Sequence, residues 1–200
     1  MNAPQEREEQ RVLELLDAVG RKNDVSQRHL ARHMGVALGL ANSYLKRCIR
    51  KGFIKITEAP ANRYLYYLTP QGFAEKSRLT ARYLSHSFSF YRQAGNSCDR
   101  VFAECRARGW KHLVLGGMSD LAEIASLRAL DSEIEVIGTY DPHSERNRFV
   151  SKPVWHRVED ILPHDGLMLT DLNATRLAHE HLLMVMPRDR ILVPDILRLE

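Results

Sequence analysis

Long apolar runs are absent from this sequence. Its 200 residues include no stretch of about 18 consecutive apolar residues, so we expect no transmembrane helix and no membrane partner. The N-terminal segment, MNAPQEREEQR, is polar and lacks the apolar core of a signal peptide. Together these absences predict a cytoplasmic protein.

Cysteine is scarce, and the three cysteines present form no C-x-x-C pair. Cys98 and Cys105 lie on one predicted helix, where their spacing separates them by about 10 Å, too far for a disulfide. This usage fits a reducing compartment. We expect Cys48, Cys98 and Cys105 to be small buried side chains, with redox sensing as the alternative.

Recognised catalytic and metal-binding motifs are missing. The sequence contains no G-x-S-x-G turn, P-loop or catalytic-cysteine signature, so we predict that the protein is not an enzyme. His29 and His33 have the spacing of a shared helix face but lack a third ligand, and His179 and His181 diverge on a predicted helix, so no metal is predicted. The remaining candidates for acid–base chemistry are carboxylates near predicted strand ends: Asp141, Asp165 and Asp171.

Charge divides the chain into two halves. Residues 1–95 carry 16 Lys and Arg against 8 Asp and Glu, a net charge of +8. Residues 96–200 carry 13 against 17, a net charge of −4. We therefore expect two domains, residues 1–95 and residues 96–200, of which the first suits a polyanionic partner.

Hydrophobic spacing predicts three helices at the start of the chain: Glu6–Val19, Ser26–His33 and Leu38–Arg50. The first has one apolar face, formed by Val12, Leu15, Leu16 and Val19. Gly20 is expected to end it, Ser26 to cap the second helix, and Gly35 to supply a left-handed turn. The third helix has residues spaced for burial: Leu38, Ala41, Leu45 and Ile49.

A two-stranded hairpin is predicted next. Phe53–Thr57 and Arg63–Thr69 alternate like strands, and the polar segment EAPANR between them suits a wing. Helices followed by such a hairpin form a winged helix-turn-helix. In this fold the exposed residues in the first part of the third helix would reach DNA bases, and the basic residues in its later part would reach phosphates. The alternative is that the basic residues of this helix form an ordinary solvated face.

Three segments make this interpretation specific: NSYLK at 42–46, KGFIK at 51–55 and YYLTPQG at 66–72, with Asn62 in the wing. They resemble the MarR-type winged-helix regulators that accompany exopolysaccharide gene clusters, over roughly residues 12–92. The resemblance implies a sequence-specific regulator that binds double-stranded DNA as a dimer. We expect Asn42 and Ser43 to read bases. The residues expected to hold the DNA backbone or the wing groove are Gln27, Arg28, Lys46, Arg47 and Arg63.

A long helix is predicted from Thr69-Pro70, a capping hydroxyl followed by a first-turn proline, to about Arg92. Near a heptad stripe on it lie Phe73, Ser77, Thr80, Leu84, Ser87 and Tyr91. Because helix-turn-helix sites are two-fold, we expect this helix to carry a homodimer contact, with packing inside the chain as the alternative. The composition of residues 93–97, QAGNS, predicts a linker.

The second half alternates strands with helices. Strands are predicted at 111–116, 135–140, 153–155, 165–170 and 190–193. Helices are predicted at 98–108, 119–130 and 174–186, with a helical turn at 158–162. This alternation predicts a Rossmann-like parallel sheet with flanking helices, and therefore an α/β protein overall.

The order of these elements, with Gly116 after the first strand and Asp141 after the second, is similar to two groups of Rossmann-like domains. One belongs to nucleotide-sugar dehydratases and sugar acyltransferases, and the other is the nicotinamide-binding half of the Rex redox repressors. The resemblance implies a nucleotide, nucleotide-sugar or NAD(H) site. The dinucleotide fingerprint is incomplete, because Met118 and Leu121 occupy its second and third glycine positions.

Two carboxylates, Asp120 and Glu123, would also repel a phosphate from the start of the next helix. A non-phosphate ligand, a differently placed nucleotide sugar and no ligand therefore stay open. The candidate ligand-binding residues are Gly116, Gly117, Met118, Ser119, Asp141 and Thr170.

These patterns predict a transcriptional regulator whose second domain senses a small-molecule effector or mediates oligomerisation. The alternative from another class is a nucleotide- or nucleotide-sugar-processing enzyme domain tethered to DNA. The third possibility is that the second domain binds another protein and has no small-molecule ligand.

Overall fold

The computed structural model describes residues 3–22, 24–60 and 63–199. The chain forms two compact units, Met1–Ser87 and Phe88–Glu200. Among the described residues, no helix combines the length and the apolar character needed to cross a membrane.

The first unit contains three helices, a hairpin and the beginning of a fourth helix: α1 (Ala3–Arg21), α2 (Gln27–His33), α3 (Leu38–Arg50), β1 (Ile54–Ala59), β2 (Arg63–Leu68) and α4 (Pro70–Ala107). The strands pair antiparallel, with Ile54 opposite Leu68 and Ala59 opposite Arg63. The predicted winged order is confirmed. Its core includes Leu15, Leu16, Leu30, Met34 and Leu45.

Local chemistry explains where these helices begin. The Ser26 hydroxyl accepts a hydrogen bond from His29 N at 3.1 Å, which satisfies a free donor at the start of α2. Gly35 adopts a φ of +59° in the turn before α3. Thr69 Oγ1 accepts from Gly72 N at 3.0 Å and caps α4, as the sequence predicts.

Two expectations for the first unit are wrong. Gly20 does not end α1, which continues to Arg21. A side chain at Gly20 would meet Leu68 Cδ1 at 3.0 Å, so this glycine provides space for β2. Leu38 is not buried but 45% exposed, because the first turn of α3 projects away from the core.

Helix α4 is continuous over 38 residues, so the predicted linker at 93–97 is wrong. Three of the small residues that suggested a linker, Ala94, Gly95 and Ser97, lie instead on a buried helix face together with Cys98. Small side chains allow close packing, and the hydroxyl of Ser97 accordingly donates to Asp195 in the same unit. The face continues through Phe102 and Cys105, which are also buried.

The second unit adds eight elements to the end of α4: β3 (His112–Gly116), α5 (Asp120–Ala129), β4 (Glu135–Tyr140), β5 (Arg148–Phe149), β6 (Lys152–Trp155), β7 (Gly166–Leu169), α6 (Thr175–Val185) and β8 (Ile191–Leu192). The sheet order is β5-β6-β4-β3-β7-β8, and all neighbours are parallel except β5 and β6. Without the short β5, the order corresponds to 3-2-1-4-5, that of a doubly wound sheet whose strand order reverses between β3 and β7.

Helices cover both faces of this sheet. Leu113 and Leu115 of β3 pack in one core with Phe102 of α4 and Leu121 of α5. Val114, between them, points to the other face and packs in a core with Leu182 of α6. The predicted α/β class, with flanking helices, is therefore confirmed.

Candidate functional site

Helix α3 presents one solvent-exposed face to the outside of the first unit. Gly39, Ser43, Lys46 and Arg50 recur at helical intervals and are all exposed; we call this set the α3 face. Ala41, Leu45 and Cys48 on the opposite side are buried. Lys46 and Arg50 form no ion pair within the described part of the chain, so both cations are available to an anionic partner.

Two other predicted residues of α3 have different surroundings. Arg47 is half-buried and forms an ion pair with Glu8 of α1. Asn42 is also half-buried, and its Oδ1 is enclosed without a hydrogen-bond partner among the described residues. Arg47 is thus engaged inside the unit, whereas Asn42 keeps an unsatisfied amide near the start of the helix.

The first turn of α2 brings further polar groups to the surface. Gln27 and Arg28 are exposed, and Gln27 Nε2 donates to Tyr66 Oη at 3.4 Å. Arg28 has no ion-pair partner in the ranges that the structure describes. The side chain of Arg63 and the whole of Asn62 lie outside the described residues.

A second candidate site lies in the second unit, at the carboxyl ends of β3, β4 and β7. A cavity of about 140 Å³ opens there, and its lining includes Gly116, Gly117, Tyr140, Asp141, Asp171 and His181. The chain leaves β3 for β4 on one side and later places β7 on the other, so this is the topological switch point of the sheet.

An aromatic wall and two carboxylates give this cavity its character. Tyr140 Oη and His181 Nε2 are 2.8 Å apart and share a hydrogen bond, and their rings stack at 6.0 Å. Burial raises the pKa of Tyr140 above its ordinary value. Asp141 and Asp171 line the cavity, and none of its described lining residues is Lys or Arg.

Three of the backbone donors that a phosphate could use after β3 are already paired within the chain. Met118 N donates to Asp141 Oδ2 at 3.1 Å. The amides that begin α5, those of Leu121 and Ala122, donate to Ser119 Oγ at 3.1 and 3.3 Å. The two helix-start donors and the turn amide are therefore satisfied by the chain itself.

The predicted ligand-binding residues divide into two groups. Gly116, Gly117 and Asp141 line the cavity, whereas Met118, Ser119 and Thr170 do not. The latter hold the turn together, since Ser119 Oγ donates to the Thr170 carbonyl at 2.5 Å and Thr170 Oγ1 donates to the Gly117 carbonyl at 2.6 Å.

Packing explains the glycine at position 117. Gly117 has a φ of +102°, and a Cβ there would lie 2.8 Å from Asp171 Cβ. The glycine is thus required by the turn, whether or not a ligand binds.

The other carboxylate near a strand end, Asp165, lies at the amino ends of β3 and β7, the opposite end of these strands from the cavity. Its Oδ2 accepts from Lys111 N at 2.7 Å and from His112 N at 2.8 Å. These hydrogen bonds, first that from His112, lower the pKa of Asp165. Asp165 therefore joins the starts of β3 and β7 and does not pair with Asp141 or Asp171.

Residues 9–55, from α1 into β1, match a family model described as winged helix-turn-helix DNA-binding. The first unit contains a winged helix-turn-helix DNA-binding domain. No curated protein matches the chain.

Solved structures show distant similarity to the chain. A MarR family protein of Mycobacterium tuberculosis, in complex with p-aminosalicylic acid, is 22% identical over 36% of this chain and 55% of its own, with a TM-score of 0.33. The PcaV transcriptional regulator from Streptomyces coelicolor is 21% identical over 49% and 74%, with a TM-score of 0.40. FabT from Streptococcus pneumoniae, in complex with DNA, is 19% identical over 60% and 68%, with a TM-score of 0.34. Likenesses this distant carry no weight for function.

Within the winged helix-turn-helix, Ser43 and Lys46 lie on the α3 face, as a recognition helix requires. Sequence reasoning left Leu40 out of the candidate site, although it is 48% exposed beside this face. It also missed Tyr140 and His181 in the second unit. The helical spacing of Leu177, Ala178, His181 and Leu182 was the available signal, because it marks the side of α6 that faces the cavity.

Proposed function

We propose that this protein is a cytoplasmic, MarR-type transcriptional regulator that binds double-stranded DNA as a homodimer. The observation that carries the proposal is the α3 face inside a winged helix-turn-helix domain. Ser43 lies in the first half of the helix, where residues meet base edges, and Lys46 and Arg50 follow, where residues meet phosphates. The segments NSYLK, KGFIK and YYLTPQG support placement with the exopolysaccharide-associated group.

The homodimer is proposed to form through α4. In the first unit this helix exposes Phe73, Tyr83 and Leu84, with Phe73 55% and Leu84 44% accessible. Large apolar side chains clustered on one exposed helix commonly mark a protein interface. A second copy of the chain is the partner expected, because a two-fold protein matches the two half-sites that helix-turn-helix dimers read.

The DNA-binding proposal is tested with the full chain. Duplexes with a randomised centre are selected on the protein, and binding of the enriched duplex is followed by fluorescence anisotropy across a salt series. We expect an approximately two-fold sequence whose half-sites are about 34–36 Å apart, and an affinity that falls steeply with salt. If no sequence is enriched over the starting pool, the proposed function is wrong.

We further propose that the second unit binds a small effector without phosphate groups at the switch-point cavity. The cavity is smaller than the roughly 300–1,000 Å³ of pockets for drug-sized ligands. Asp141 and Asp171 disfavour an anion, and three of the backbone donors after β3 are already occupied. The Tyr140–His181 pair offers a flat aromatic surface and a polar edge to an uncharged or cationic ring.

Thermal unfolding of the full chain tests this second proposal. NAD(H), nucleoside triphosphates and nucleotide sugars should leave the midpoint unchanged, whereas a matching non-phosphorylated metabolite at 100 times its Kd should stabilise the protein by about 2.7 kcal/mol. Tyr140→Phe should weaken that stabilisation. Stabilisation by a nucleotide would contradict an effector without phosphate groups. An effector response that Tyr140→Phe leaves unchanged would mean that the ligand does not bind at this cavity.

A further inference from the structure

The first turn of α3 presents almost only carbon to solvent. Ala37, Leu38, Gly39 and Leu40 are all exposed, and the leucines are 45% and 48% accessible. Ala37 supplies no side-chain cap, and the first side chain with a hydrogen-bonding group is Asn42. A recognition helix that approaches bases through this turn has little with which to read hydrogen-bonding edges.

The major groove offers one apolar group, the C5-methyl of thymine. The other base pairs present only donors and acceptors there, which an exposed leucine would desolvate without compensation. Leu40 and Leu38 lie on the two flanks of the α3 face, each about 100° from Gly39. Leu40 is on the side of Ser43, which follows one turn later, and Leu38 is on the other side. Lys46 and Arg50 lie farther along the helix, where phosphate contacts would keep its first turn in the groove.

We propose that Leu40 determines sequence specificity by packing on the methyl group of a thymine in each half-site. This inference rests on the proposed DNA-binding function and names the base that the function reads. Gly39, next to Leu40, faces open space, since a Cβ built there would meet no other atom of the described chain within 4 Å. Because glycine has no side chain, the DNA groove can approach the helix closely at this position.

The experiment removes single methyl groups from the DNA. Each thymidine of the enriched duplex is replaced in turn by deoxyuridine, which lacks the C5-methyl group but keeps every hydrogen-bonding group. The Kd of the full chain is then measured for each duplex. One thymine per half-site should be sensitive, with a loss of about fourfold per methyl, as expected for one buried methyl group. 5-Methylcytosine, paired with guanine at that position, should bind better than cytosine.

Two leucine variants provide the matched comparison. Leu40→Ala should weaken binding and abolish the difference between thymine and uracil at the sensitive position. Leu38→Ala removes the same atoms from an equally exposed leucine and should keep that difference. Circular dichroism of both variants checks that α3 is intact, as expected for exposed positions.

Failure of the methyl contact and failure of the function are distinguishable. An enriched duplex that tolerates uracil at every position overturns the role of Leu40 and leaves DNA binding in place. A uracil effect that persists in Leu40→Ala does the same. Absence of any enriched duplex overturns the proposed function, and this inference falls with it.

Discussion

Neighbouring basic residues of α3 are not equivalent. Lys46 is exposed and unpaired within the described ranges, whereas Arg47 forms an ion pair with Glu8 and is half-buried. A residue at a phosphate releases a counterion on binding, and a residue held inside the unit does not. The sequence alone places both in one basic cluster, and only the direction of each side chain separates them.

Lys46→Ala and Arg47→Ala should therefore differ in their effect on DNA binding. We expect Lys46→Ala to reduce the slope of log K against log salt by about 0.9 per protomer. Arg47→Ala should change that slope less and should destabilise the first unit slightly, since a partly exposed ion pair contributes less than about 1 kcal/mol. Salt titrations with urea unfolding of each variant measure both quantities. Equal losses of slope would mean that Arg47 leaves Glu8 to bind DNA.

Glycine at position 72 is required by a close approach between two elements. A Cβ on Gly72 would lie 2.0 Å from the Phe53 carbonyl oxygen, which is backbone and cannot move aside easily. We expect Gly72→Ala to destabilise the protein by about 1–3 kcal/mol through overpacking.

Gly95 is the matched control on the same helix. A Cβ there would meet Arg128 Nε at 3.6 Å, an ordinary contact. Gly95→Ala should therefore be neutral or stabilise by up to about 1 kcal/mol, the gain in helix propensity. Urea denaturation of the two variants measures the difference. Similar stabilities for both would contradict the packing described for Gly72.

At the scale of elements, periodicity and capping predict most of the fold. α3 and β4 occupy the ranges that their residue spacing predicts, and the hydroxyl of Thr69 begins α4 as expected. The sequence-based prediction is wrong where the local composition is compatible with two different structures. Residues 93–97 have the composition of a linker, but tertiary packing buries Ala94, Gly95 and Ser97 on one helix face, which a single sequence does not reveal.

The strand that sequence reasoning missed, β5, lacks the usual turn signal. It pairs with β6 through a turn in which Val150 and Ser151 adopt φ values of +45° and +62°. Hairpin turns of this kind are normally recognised from glycine or asparagine. Valine in this conformation is rare, so the sequence gives no indication of the hairpin.

The exposed part of α4 leads to a test of the homodimer. Leu84→Glu places a charge among apolar side chains that we expect to be buried between two copies, so it should dissociate the dimer. Ser85→Glu adds the same charge on the next residue, about 100° around the helix, and should leave the dimer intact. Sedimentation velocity of both variants measures the outcome. A monomeric unmodified protein, or a dimeric Leu84→Glu variant, would rule out this interface.

At the scale of the whole molecule, both units bury ionisable thiols. Burial raises the pKa of Cys98 to about 12 and those of Cys48 and Cys105 to about 11. All three thiols are therefore protonated at neutral pH, which disfavours the redox-sensing alternative because the thiolate is the reactive form. A thiol reagent at pH 8 should modify the native protein slowly and the urea-unfolded protein quickly.

The same pKa shifts give a direction to the pH dependence of stability. The folded state retains protons that the unfolded state loses above pH 9, the ordinary thiol value. The contribution of the protonated thiols to the free energy of unfolding is fully present below pH 9 and is lost as the pH rises through 11 to 12. Cys98→Ala should be less stable at neutral pH but should show a shallower decline above pH 9 in urea denaturation. An unchanged slope would show that Cys98 does not contribute.

The charge imbalance between the halves indicates a polyanionic partner from composition alone, and the structure shows which cations are available to it. The parallel sheet was likewise predictable from alternating strands and helices. The cavity at the strand ends was predicted in part, through Gly116, Gly117 and Asp141. Its aromatic wall was not, because Tyr140 and His181 are distant in sequence and only the folded sheet brings them together. Glycine positions alone were ambiguous, since the turn requires Gly117 with or without a ligand.

The occupied donors after β3 have a consequence for the cell. Adenine nucleotides and nicotinamide cofactors are abundant, and an open phosphate site at the switch point would be filled most of the time. With Asp141 and Ser119 holding three amides of that turn, the cavity would compete poorly for these phosphorylated cofactors, and the second unit would respond little to their concentrations.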